Sequence, residues 1–175
     1  DIRETARVMG TVNGGLLRIE YSVCDTLLMV NGKVKSPFES DEILERMFEI
    51  QKDLKFRQYQ KFYTLDALHY KKADVRLAQT KYDDALLANY VALDIEHRPH
   101  YYYQRARILF FAGVELDEAL ECVQRSMSDP ALQKQKRFTL LEILTRMGNL
   151  ELALDRAEAF AKESEDEGGK NTGEF

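Results

Sequence analysis

Few residues in this chain are spaced to do chemistry, and each small group of them has a plainer role. His97 and His100 form an H-x-x-H around Pro99, with Glu96 as the only further ligand nearby. A metal held by protein side chains wants more ligands converging than that, so histidines of a solvated loop are the commoner case. Cys24 and Cys122 lie far apart and fit neither a CxxC nor a zinc spacing. Buried free thiols are the favoured reading, because a disulfide needs an oxidising compartment and close approach. Tyr101, Tyr102 and Tyr103 are consecutive, and helical geometry points them in three directions, so they make no shared stacking platform. Tyr102 is expected to pack within a hairpin and Tyr103 to face the groove described below. The acidic pairs Asp83/Asp84 and Asp117/Glu118 stand where helices are expected to begin, and the positive end of the helix dipole accounts for them. The chain has no serine or threonine in a nucleophile-elbow context, no phosphate-binding glycine loop and no H-E-x-x-H. No catalytic residue, metal or cofactor is therefore expected, and the chain is not expected to be an enzyme.

The elements that carry these residues follow a repeat. Tyr82-Asp83-Asp84-Ala85-Leu86 aligns with Leu116-Asp117-Glu118-Ala119-Leu120 and with Leu150-Glu151-Leu152-Ala153-Leu154, so the alanines at 85, 119 and 153 are separated by two intervals of 34 residues. A small residue early in the second helix of a hairpin lets its backbone approach the first. The hydrophobe before each acidic pair would plug the base of the hairpin. Gly113 and Gly148 sit where a first helix must end at positive φ, and Thr80 holds the equivalent place as a weaker stop. Helices are predicted over 62–79, 83–96, 100–112, 117–128, 131–147 and 150–163.

The unit from Tyr102 to Pro130, with Ala106, Gly113, Asp117-Glu118-Ala119-Leu120 and Asp129-Pro130, resembles a tetratricopeptide repeat. Ala73 through Ala92 is similar. Leu141 through Phe160 is a looser copy with Phe160 where a small residue is usual, and the middle unit departs by one residue on each side of Ala119. The resemblance covers about residues 62–163 and divides them into 62–96, 97–130 and 131–163. It implies a mainly α fold, a right-handed superhelix of about three helix-turn-helix repeats, because one such hairpin cannot bury its apolar face alone. It also implies ligand binding along a concave wall of first helices. There the i, i+4, i+7 rows are Tyr70, Asp74 and Leu77, then Tyr103, Arg107 and Phe110, then Phe138, Glu142 and Thr145. Such a groove could hold a peptide or helix of another protein, with aromatic rings as anchors. The same aromatics could equally be packing between repeats. Family members that capture a C-terminal carboxylate use lysine and asparagine where this chain has Asp74, Arg107 and Glu142, so a ligand with some positive charge fits better.

The ends read differently. Leu17, Ile19, Tyr21 and Val23 alternate with polar residues, and Asn13-Gly14-Gly15 and Asn31-Gly32 have hairpin-turn composition. A small β-meander, or the end of an adjoining domain, is predicted over 1–36, with one helix from Leu16 to Val30 as the competing reading. Ser40 is expected to cap a helix within 37–61 that covers the first repeat, with a break near Phe56 to Gln60. Residues 164–175, acidic and nearly without apolar content, are expected to be disordered.

The bulk figures agree with a scaffold. The net charge of −5, with no polybasic face, disfavours nucleic acid and anionic membrane as partners. No apolar run is long enough to cross a bilayer. The expected partner is another protein, bound by an adaptor, and the alternative is a regulatory or self-assembly module of a larger protein. A cytoplasmic setting is the first choice, with the periplasm or the soluble part of a membrane-associated protein as alternatives.

Overall fold

The computed structural model describes residues 14–34 and 37–170. They form α1 (Gly14–Val34), α2 (Pro37–Lys52), a 3-10 segment (Leu54–Tyr59), α3 (Leu65–Ala78) and α4 (Tyr82–Ile95), then α5 (Pro99–Ala112), α6 (Leu116–Ser126), α7 (Gln133–Arg146) and α8 (Leu150–Lys170). Two compact units divide the chain, Asp1–His97 and Arg98–Phe175. The described residues are mainly helical and contain no strand.

In the first unit α1, α2 and the 3-10 segment build a core that α3 completes. Leu17, Tyr21, Cys24 and Leu28 of α1 meet Leu44, Met47 and Ile50 of α2, together with Phe56 and Leu68. Phe56 is fully buried, stacked at 5.4 Å on the ring of Tyr21. A side chain of this size contributes roughly 1.5–3 kcal/mol when buried. Asp53 shapes the break that puts Phe56 there: its carboxylate accepts from the Lys55 amide at 2.8 Å and caps the 3-10 segment. Glu20, itself buried, receives a forked pair of bonds from Arg46 at 2.6 and 3.0 Å, which ties α1 to α2. Asp41 accepts from Arg76 at 2.6 Å and from Gln79 at 3.1 Å, tying the start of α2 to the end of α3.

The hairpins α3/α4, α5/α6 and α7/α8 share one local design. Ala85, Ala119 and Ala153 are each the fourth residue of the second helix, and all three are buried. Each first helix also ends alike. The amides of Lys81, Val114 and Asn149 reach back to the carbonyls of Arg76, Leu109 and Leu144 at 2.9, 3.2 and 3.0 Å. The residues just before them, Thr80, Gly113 and Gly148, are left-handed at φ 59°, 74° and 80°. This 6→1 closure needs positive φ at the residue after the helix. Glycine supplies it twice, and Thr80 supplies it at a steric cost.

Three expectations are corrected. The β-meander is replaced, from Gly14 onward, by α1; residues 1–13 lie outside the described residues. The alternation at 17–23 is only the overlap of two apolar faces. Leu17, Tyr21, Cys24 and Leu28 recur at helical spacing and are buried, whereas Ile19 is 60% and Val23 43% exposed. Asn31-Gly32 falls inside the last turn of α1 instead of in a hairpin. Second, α2 starts at Pro37, so Ser40 is a buried residue of its first turn and not its cap; proline with its preset φ favours the first helical position. Third, α8 continues to Lys170, so 164–170 is helical, and 171–175 lies outside the described residues.

Candidate functional site

The predicted groove residues fall on three first helices. Tyr70, Asp74 and Leu77 lie on α3 in the first unit, all half-buried. Beside them, α3 is held by Lys71, paired with Asp25 of α1 at 2.5 Å, and by His69, whose ring meets Phe48 edge-on at 5.0 Å. Burial pushes the His69 imidazole below its ordinary pKa, with the nearby Lys72 charge adding to it.

The second unit brings the other two rows together on α5 and α7. Proline at the start of α5 and the left-handed Gly113 at its end set the limits of that helix. Tyr103 is nearly buried, and its hydroxyl lies 3.3 Å from that of Thr139, joining α5 to α7. One turn on, the Arg107 guanidinium sits 5.9 Å from the centre of the Tyr103 ring. Phe110 follows, half-buried beneath Arg146 of α7 at 5.3 Å. Arg146 also donates to the Phe110 carbonyl at 2.6 Å, satisfying an acceptor that the end of α5 leaves open. On α7 the row differs: Phe138 is 57% exposed, and Glu142 and Thr145 are exposed as well. The aromatics thus divide by position. Tyr103 is packing between α5 and α7, and Phe138 stands in solvent.

Behind this face the unit is braced by polar contacts that periodicity does not reveal. Lys136 is fully buried, and its ammonium donates to the carbonyls of Ser126 at 2.8 Å and Asp129 at 2.7 Å. It closes the C-terminal end of α6, where the dipole favours a cation. Arg105 of α5 binds Glu118 of α6 and holds that carboxyl below the ordinary glutamate range. Arg125 of α6 lies over Tyr102 at 5.4 Å, so Tyr102 packs within the hairpin. Arg137 covers Phe160 at 4.8 Å and pairs with Glu163 at 2.6 Å, fastening α8 to α7. A large ring where the repeat pattern wants a small residue is thereby kept half-buried under a cation.

The remaining chemical candidates are quiet. Cys24 and Cys122 are free and buried, and burial pushes each thiol up to about 11. Among the described residues no three His, Cys, Asp or Glu side chains converge as metal ligands. No described helix is long and apolar enough to cross a membrane. Sequence reasoning missed Arg146, whose one signal is its place four residues after Glu142, and Lys136, which an apolar pattern counts as surface.

Comparison with protein-family models, curated proteins and solved structures finds no significant match.

Proposed function

We propose that this chain is a protein-binding scaffold of tetratricopeptide-like hairpins, and that the face formed by α5 and α7 holds a segment of another protein. The observation that supports it most is the exposure of Phe138, at 57%, on helices whose neighbouring aromatics are pinned. A ring left in water beside a rigid, polar-braced surface is the kind of anchor that a partner covers. Covering the part still exposed contributes roughly 1–1.5 kcal/mol by apolar burial alone. Polarity points the same way as the residue types. Glu142 presents an exposed carboxylate one turn from Phe138, while Arg107 and Arg146 are engaged with Tyr103 and with Phe110. A segment with a bulky apolar residue and a lysine or arginine about one turn away matches this face.

The test is selection from a displayed random-peptide library against the full chain, followed by affinity measurements. Selected peptides should carry the apolar and basic pair, and Phe138→Ala should weaken them about tenfold or more, the usual effect of losing an anchor. Glu142→Lys should weaken them further at low salt than at high salt. Peptides whose affinity neither substitution moves would place the binding surface elsewhere.

A further inference from the structure

The negative net charge of the chain conceals a basic ridge between α2 and α3. Lys52, Lys55, Arg57 and Lys61 put four cations into ten residues, against the single acid Asp53, on a chain of net charge −5. All four are exposed, whereas Asp53 is half-buried and its carboxylate caps the 3-10 segment at the Lys55 amide. Two apolar side chains stand among these cations. Leu54, at 83%, and Phe62, at 70%, are the most exposed large hydrophobic residues among the described residues. The Lys61 ammonium lies 4.8 Å from the centre of the Phe62 ring.

The ridge is rigidly based. In a 3-10 segment residues three apart share a side. Phe56 and Tyr59 turn that side to the core, which leaves Leu54 and Arg57 together on an outer one. The side chain of Gln60 donates to the Gln51 carbonyl at 2.7 Å, and that of Gln51 donates to the Tyr63 carbonyl, closing the base. Turns continue past Tyr59, where the Phe62 amide bonds the Tyr59 carbonyl at 2.9 Å. At about 2 Å per residue, Leu54 to Phe62 spans about 16 Å.

We propose that this ridge docks on the surface of an anionic lipid bilayer, with Leu54 and Phe62 entering the interface and the four cations at the headgroups. The sign of the charge selects an anionic partner, and the shape selects a bilayer. Side chains as exposed as Leu54 and Phe62 stand clear of their neighbours, so a folded protein would need a separate socket for each. A fluid interface adapts to both. Leu54, being aliphatic, has no stacking role on nucleic acid. Cations close to the bilayer gain from its negative surface potential within a Debye length. The acidic remainder of the chain is repelled by the same surface, which turns the ridge toward it.

Co-sedimentation of the full chain with vesicles tests this, using phosphatidylcholine alone and phosphatidylcholine with about 30% phosphatidylserine. The chain should bind the anionic vesicles in preference to the neutral ones, and should release them as salt rises from about 50 to 500 mM. Lys52→Gln with Lys61→Gln should weaken binding roughly fivefold for each cation removed. Leu54→Ser with Phe62→Ser should weaken it at least about tenfold. All four positions are exposed, so thermal melts should match the parent. The single variants Lys52→Gln and Leu54→Ser give the same reading if a double variant melts early. No binding, equal binding to both vesicles, or anionic binding that none of these variants weakens overturns the proposal. So does a chain that ignores the vesicles and binds an acidic, leucine-containing peptide through the same residues, because the ridge is then a protein interface.

Discussion

At single residues, the energies are those of strain, buried charge and pairing. Thr80 adopts φ 59°, where Gly113 and Gly148 serve the same turn at 74° and 80°. A side chain in this region costs roughly 1–2 kcal/mol, so Thr80→Gly is expected to raise stability by about 1 kcal/mol despite the added freedom of the unfolded chain. A urea melt reads this directly, and an unchanged or lower midpoint would show that the threonine is not strained. Lys136 is the opposite case. Its ammonium bonds two carbonyls from a fully buried position. Lys136→Met keeps the stem and strips both donors, so about 1–3 kcal/mol of destabilisation is expected from the orphaned acceptors. Equal melts for the two proteins would contradict the capping role. Glu118 is held below its ordinary pKa by Arg105. A depressed carboxyl contributes its stabilisation above the unfolded value and loses it as pH falls through the folded one. Titration followed by NMR should place Glu118 below free glutamate, and Arg105→Met should return it to that range. A midpoint indifferent to Arg105 would assign the shift to something else.

At the scale of elements, the small residue near the start of each second helix sets how closely a hairpin can close. Ala119 is fully buried, and Ala119→Leu should cost about 1–3 kcal/mol by overpacking α5 against α6. Thermal melts of this variant and of Ala85→Leu should fall together, and an unmoved Ala119→Leu midpoint would show that the hairpin does not close on that residue. The six helices from Leu65 onward, apart from the stretch of α8 beyond 163, were legible because their signals are local and mutually consistent: glycines at the turns, acids in the first turns and alanines at equal spacing. The N-terminal part was misjudged because α1 carries a second apolar face, and the two faces interleave into a false period of two. Composition misled at Asn31-Gly32, since turn propensity is a weak preference that an otherwise continuous helix overrides. The predicted groove rows were legible only as helix faces. Spacing placed Tyr103 and Phe138 in equivalent positions, yet one is packed beside Thr139 and the other is exposed. That difference arises from contacts with the neighbouring helix, which no period within one helix encodes.

At the scale of the molecule, two compact units offer two different surfaces. In the first unit, Ile19, Val23, Leu27 and Val30 leave part of the outer face of α1 exposed. In the second, α5 and α7 present a ring, a carboxylate and engaged guanidinium groups, the face we propose for a basic, apolar segment of another protein. The central claim is the second of these. It is tested most directly by mapping amide chemical-shift changes in the full chain as a library-selected peptide is added. The expected result is a contiguous set of shifts on α5 and α7, strongest around Phe138 and Glu142 and extending to Arg107 and Phe110. Shifts confined to other helices, with α5 and α7 unmoved at saturation, would contradict it.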